Sequence, residues 1–274
     1  MVLLFIYNET MDYKLVKLNS ARSALRYVIR CFGIKEIYVP YYICPVIRTA
    51  IKKENCKIIF YHIDKCFKPS ISFPQTAFIL YPNYFGVCSK IVDKLALLYP
   101  NLIVDNAHSF YSQPKGIASF NSLRKFFPNL RDGSFLYTRK TSVEKLEIDN
   151  YEYENKILSR EELIKNENRH DLEEIKIISS TTLDYFSNID LFADKQIRIE
   201  KFEQLNQQYA CSNNLKLAIC ENDIPFSYPY LANTQDDADK IVNSLNKEVY
   251  RYWTNLPDSF VEKIFYTNLV SIPF

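Results

Sequence analysis

NLIVDNAHSFYSQPKGIASFNSLRKFFPNLRDGSFLYT, residues 101–138, is the stretch on which the fold turns. The apolar run at 102–104 ends on Asp105, and His108 follows three residues later, so a buried strand runs into a polar end. IASF (117–120) and SFLYT (134–138) read as two further short strands. Lys125 falls between them, wrapped by Leu123, Phe126 and Phe127, and a DGS turn at 132–134 closes the loop. Two polar groups and an amine are thus set at the ends of short apolar strands.

The residues upstream keep the same rhythm. SARSALRYVIRC (20–31) has apolar residues at helical spacing behind a serine N-cap. EIYVP (36–40) reads as a strand, CPVIRTAIKKEN (44–55) as a helix with Pro45 in its first turn, and KIIFYHI (57–63) as a strand. AFILY (77–81) is another strand and SKIVDKLALLYP (89–100) another helix. The opening VLLFIY (2–7) reads as a strand, too short for a membrane span or a signal peptide. Strands and helices alternating this way predict an α/β fold of three layers, with a mostly parallel sheet of about seven strands. Ligands of such sheets sit beyond the carboxyl ends of the strands.

Beyond residue 141 the character changes. Residues 142–178 are dense in Glu, Lys and Asn and read as a solvated helical connection. A long helical pattern over 181–209 follows, then a strand in FSYPYLA (226–232) and a helix in TQDDADKIVNSLNKE (234–248). This order divides the chain into a large α/β domain over 1–178 and, over 179–274, a linking helix with a smaller C-terminal α+β domain.

Composition narrows the function. Hydrophobic residues make up 47% of the 274 and charged residues 24%, as in an ordinary globular protein. With 34 basic against 32 acidic residues and no basic stripe, neither nucleic acid nor an anionic membrane is an expected partner. Seven cysteines of irregular spacing, none in CxxC form, read as reduced thiols of a cytoplasmic protein and not as a zinc site or disulfide framework. The four glycines, Gly33, Gly86, Gly116 and Gly133, each mark a positive φ or a close backbone approach.

Each polar group carries two readings. Asp105 either caps a turn or, as a carboxylate at the mouth of the sheet, holds a pyridinium nitrogen protonated, as pyridoxal phosphate (PLP) chemistry requires. His108 is either a satisfied polar histidine or a partner of the same ring. Lys125 is a surface lysine beside Arg124 or, partly desolvated, a neutral amine nucleophile. NSARSAL (19–25) is an N-cap or, with Ser20 and Ser23 at a helix N-terminus, a phosphate site.

Taken in order, these segments resemble the DegT-type nucleotide-sugar aminotransferases over residues 19–138. The stretch from Asn19 to Asp64 is similar to the family's phosphate-binding helix and the elements after it, and PNYFGV (82–87) to its "H-L-Y-G" segment. VDNAHSF (104–110) is similar to "E-D-x-A-H/Q", and RKFFPNLRDGS (124–134) to the "K-N…E-G-G" lysine loop. Weaker similarity continues in PFSYPYLA, YRYWTNLP and TNLVSIPF. The resemblance implies the PLP-dependent transferase fold type I, with Lys125 carrying the cofactor and Asp105 facing its ring nitrogen. It places His108 near the ring, and Ser20, Arg22 and Ser23 near the phosphate. The implied reaction moves an amino group from glutamate to a nucleotide-linked keto sugar, in surface polysaccharide or deoxysugar biosynthesis, with Lys125 as acid and base. A homodimer is implied as well.

The chain departs from the family pattern at Ala21, which replaces a glycine, and at Ser134, the loop's second glycine. Cys44 stands where an aromatic residue stacks on the ring, leaving Tyr41 or Tyr42 as substitutes, and Phe120 stands for a serine that Ser122 replaces. These departures, with a shorter chain, support an alternative: a degenerate homologue that binds PLP or a partner without turnover.

Overall fold

The computed structural model describes residues 13–142, 145–156, 158–172, 174–215, 219–220, 223–245, 249, 251–253, 256–257 and 259–274. The strand expected at 2–7 lies outside them, as do 246–248 of the expected 234–248 helix. The first half runs β1 (Lys14–Leu18), α1 (Ala21–Phe32), β2 (Glu36–Pro40), α2 (Pro45–Lys53), β3 (Lys57–Tyr61), β4 (Ile79–Pro82), α3 (Ser89–Leu98) and β5 (Leu102–Asn106). It continues with β6 (Ala118–Asn121), the single turn α4 (Leu123–Phe126) and β7 (Ser134–Thr138). The rest is mainly helical: α5 (Arg160–Leu172), α6 (Ser180–Ser187), α7 (Leu191–Tyr209), β8 (Tyr228–Leu231), α8 (Gln235–Ser244), α9 (Lys263–Thr267) and β9 (Leu269–Ile272).

Strands β1 to β7 form one sheet in the order β1-β7-β6-β5-β4-β2-β3. Pairing from β6 through β5, β4 and β2 to β3 is parallel, while β7 is antiparallel to both β6 and β1. Of the seven, β7 alone runs against the others. Strands β4, β5 and β6 are buried along their whole length, as parallel strands covered on both faces must be. The alternation of side chains along β5 shows the layers directly. Ile103 joins the apolar core under α1 and α2, whereas Leu102 and Val104 join an aromatic core on the other face. The expected three-layer α/β fold is therefore present. The edge strand β1 has no counterpart in the sequence expectations, because two lysines in KLVKL mask its pattern; edge strands carry such charges.

A smaller antiparallel pair, β8 with β9, packs its buried Tyr228, Tyr230, Val270 and Ile272 against Phe202 of α7 and Ala238 of α8. The helix expected over 181–209 is two helices. α6 ends at Ser187 with Asn188 as its C-cap, and Asp190 starts α7 by accepting a hydrogen bond from the Ala193 N–H at 2.9 Å. A short polar residue capping a new first turn interrupts the helix at little cost.

Parallel strands in register bring their carboxyl ends to one edge. Asp105 lies level with Pro82 of β4 and Phe120 of β6. Because β7 is reversed, its start is at this edge too. The Gly133 N–H donates to the Asn19 carbonyl at 2.8 Å, and the Leu123 N–H to the Gly133 carbonyl at 3.0 Å. The start of α1, the end of β5 and the lysine turn therefore share one rim. All four glycines have positive φ. At Gly86 the constraint is also spatial: a Cβ would come within 2.6 Å of the His108 carbonyl oxygen, so only glycine lets this turn approach so closely.

Candidate active site

A cleft of about 680 Å³, including its open mouth, lies at this rim. Ser20, Arg22, Asp105, His108, Ser122 and Lys125 all line it, together with Cys44, Asn83, Arg124, Asp132, Gly133 and Trp253. The structure thus brings six of the eight expected site residues into one cavity. Lys125 sits on α4, one turn long, which the hydrophobic Leu123, Phe126 and Phe127 anchor in a core with Phe110, Phe135 and Phe186. Its Nζ is 2.8 Å from His108 Nε2. His108 is 4% exposed and lies parallel to Phe226, with ring centroids 4.7 Å apart and planes at 11°. Trp253 is parallel to it as well, at 5.7 Å and 11°.

Burial sets the electrostatics. Desolvation, aided by the neighbouring Lys125 charge, holds the His108 imidazole well below its ordinary value, so it is neutral at pH 7. Asp105 is 7% exposed. Burial raises its carboxyl above the usual range, opposed by the Ala107 N–H, which donates to Oδ1 at 2.9 Å, and by the charge of Lys125. A buried carboxylate in this state gains from a further cation placed beside it.

The His108 shift has a consequence for stability. Its folded pKa is depressed, so below about pH 6.5 the unfolded chain binds a proton that the folded chain refuses. Stability from this group is present above that pH and is lost as the pH falls toward the folded pKa. The loss of unfolding free energy between about pH 7.5 and 5.5 is expected to shrink by about 1 kcal/mol in His108→Gln. Urea titrations at both pH values check this, and an unchanged slope would mean that His108 protonates in the folded protein.

At the start of α1, the Ser20 hydroxyl accepts from the Ser23 N–H at 3.1 Å and donates to the Ser23 hydroxyl at 3.0 Å. Ser23 is thereby turned into the protein, 4% exposed, and does not line the cleft. Tyr42 does not line it either. Its ring is fully buried among Tyr84, Trp253 and Phe265, and its hydroxyl has no hydrogen-bond partner among the described residues. The β2–α2 turn directs Tyr42 into the aromatic core, while Cys44, the N-cap of α2, faces the cleft. Trp253 was not among the expected residues. Its one signal was being the sole tryptophan, in YRYWTNLP, of which Tyr250, Thr254 and Asn255 lie outside the described residues.

A seven-stranded sheet with one reversed strand, carrying a lysine turn and a strand-end acid on its carboxyl rim, has the architecture of the fold type I PLP-dependent transferases. Solved structures agree on that fold. A DegT DnrJ EryC1 StrS aminotransferase from Brucella abortus is 12% identical, with 95% of this chain and 80% of that one aligned at a TM-score of 0.61. The putative sugar aminotransferase Spr1654 from Streptococcus pneumoniae, in its PLP form, is 14% identical over 95% and 81% of the two chains, at 0.60. The aminotransferase TlmJ from Streptoalloteichus hindustanus is 14% identical over 94% and 80%, at 0.61. No protein-family model and no curated protein sequence matches the chain. No helix among the described residues is long and apolar enough to cross a membrane.

Proposed function

We propose that the protein is a PLP-dependent aminotransferase that moves an amino group from glutamate to a keto sugar carried on a nucleotide, in surface polysaccharide or deoxysugar biosynthesis. The observation that carries this reading is the meeting of Lys125, His108 and Asp105 in one cleft at the N-terminus of α1. The residues fit the cofactor by their chemistry. Asp105 is a buried carboxylate in want of a cation, which a protonated ring nitrogen supplies. Lys125 offers an amine, and the start of α1 with Ser20 and Arg22 offers an anion site, with Ser122 beside it. When bound, PLP supplies the electron sink for breaking a bond to the amino donor's α-carbon.

The chain's own groups do the rest. Lys125 Nζ is the base that takes and returns the donor's α-proton. Neutral His108 accepts a hydrogen bond from Nζ and keeps it turned into the cleft. The aromatic rings of Phe226 and Trp253 hold His108 in place. The reading carries with it a cytoplasmic homodimer whose partner subunit closes the open side of the cleft.

The test is a half-reaction. Purified protein saturated with PLP is expected to turn yellow and, on addition of glutamate, to lose that colour while releasing one equivalent of 2-oxoglutarate per site. A protein that becomes yellow but releases none is the degenerate homologue. One that stays colourless overturns the PLP reading itself.

A further inference from the structure

Helix α7 lies outside the cleft, yet one face of it reaches three segments that build the cleft. Asp194 and Arg198 are four residues apart, and Arg198 Nε donates to Asp194 Oδ2 at 2.8 Å. The Arg198 side chain is 11% exposed. Its Nη2 donates to the Phe126 carbonyl at 2.8 Å and its Nη1 to the Phe226 carbonyl at 3.4 Å, with the guanidinium 4.4 Å above the Phe126 ring. Asp194 Oδ2 also accepts the Tyr111 hydroxyl at 2.6 Å.

Each partner adjoins a residue of the cleft. Tyr111 is three residues beyond His108, Phe126 follows Lys125, and Phe226 stacks on His108. α4 is a single turn, and such a turn does not hold its own shape. Its last carbonyls have no partner within the helix, and an arginine there satisfies one of them and complements the helix dipole. A planar guanidinium can bond a carboxylate and two carbonyls at once, which an ammonium cannot do with fixed geometry.

We propose that Arg198, oriented by Asp194 and Tyr111, is a positioning residue for Lys125. It fixes the one-turn helix and the stacked ring so that Nζ and His108 keep their contact and the amine stays turned into the cleft. The proposal deepens the aminotransferase reading and rests on it for its catalytic consequence, while its geometric core concerns the protein without PLP.

The experiment therefore has two arms. In the first, PLP-free protein is labelled with trace acetic anhydride across a pH series, and the acetylation of each lysine is followed by mass spectrometry. In the wild type, Lys125, half-buried and in contact with His108, is expected to be acetylated more slowly at every pH than exposed Lys52 and Lys201. Arg198→Met keeps the stem over Phe126 and removes the donors; in it the Lys125 profile is expected to move onto that of the exposed lysines. Arg198→Lys is expected to restore only part of the difference. If the Lys125 profile in Arg198→Met matches the wild type, the residue is a structural staple and the proposal is overturned, whatever happens to the melting temperature. Should Arg198→Met not fold, Tyr111→Phe removes a single hydroxyl and is expected to shift the profile the same way; no shift overturns the proposal.

In the second arm, PLP-loaded Arg198→Met is expected to lose about 10- to 100-fold in the rate of the glutamate half-reaction at saturating donor, with the donor concentration for half-maximal rate changed less than about two-fold. An effect on donor affinity alone overturns the positioning role. If the wild type never becomes yellow, the aminotransferase reading fails by itself, and the labelling arm still decides the role of Arg198.

Discussion

Lys125→Ala is expected to remain colourless at saturating PLP and to lose about 10⁴-fold or more of the glutamate half-reaction, since the proposed covalent anchor and proton carrier would vanish together. Its fold is expected to survive, with unfolding free energy within about 1 kcal/mol of the wild type. Lys125 is half-buried on a turn held by Leu123 and Phe126, and His108 keeps its stacking on Phe226 and Trp253 after the amine is gone. Borohydride reduction followed by peptide mapping is the check. A reduced adduct in Lys125→Ala would assign the anchor to another lysine and overturn the site.

Asp105→Asn separates binding from chemistry. The amine at Lys125 is intact, so the protein is expected to become yellow and to yield a reduced adduct at Lys125. Without an anionic partner, the ring nitrogen of bound PLP would be held less firmly in its protonated form, which would weaken the electron sink. Breaking a buried charge pair costs about 3–5 kcal/mol, which predicts a fall of about 10²- to 10⁴-fold in the half-reaction. The effect on stability runs the other way when PLP is absent. Burial disfavours the Asp105 charge, and an asparagine oxygen still accepts from the Ala107 N–H. The melting temperature of PLP-free Asp105→Asn is therefore expected to equal or exceed the wild type, while that of the PLP-loaded variant falls below it. A lower value in both forms would place Asp105 as a turn cap alone.

Much of the fold was legible because its strands are short, apolar and punctuated. EIYVP and SFLYT form strands with the expected bounds, and Ser20 caps α1 as its position before the apolar spacing suggests. The failures have local causes. KLVKL hides an edge strand behind lysines, and SNID conceals a cap inside a helical pattern. In the cleft, the residues that lie at strand and helix ends could be located by order along the chain, since parallel strands align their ends. Trp253 could not. It meets His108 by stacking between segments far apart in sequence, and no spacing encodes that contact. Tyr42 failed for the opposite reason: its neighbourhood was right, but the turn before α2 points it to the aromatic core and Cys44 to the cleft. Asp194 and Arg198 have the spacing of an ordinary surface pair, and nothing in it shows that Arg198 reaches two carbonyls.

The reversed strand β7 has a consequence for the order in which the molecule is made. It joins β1 to the rest of the sheet, so the first strand waits for the last before it has a neighbour there. On the ribosome, the parallel core from β2 to β6 can assemble with α1 packed on it, while β1 stays unpaired until β7 recruits it. The rings that flank His108 emerge later still, from Phe226 to Trp253. At ~10 residues per second the stretch from Thr138 to Trp253 takes about ten seconds, during which the nascent chain carries a rim but no wall.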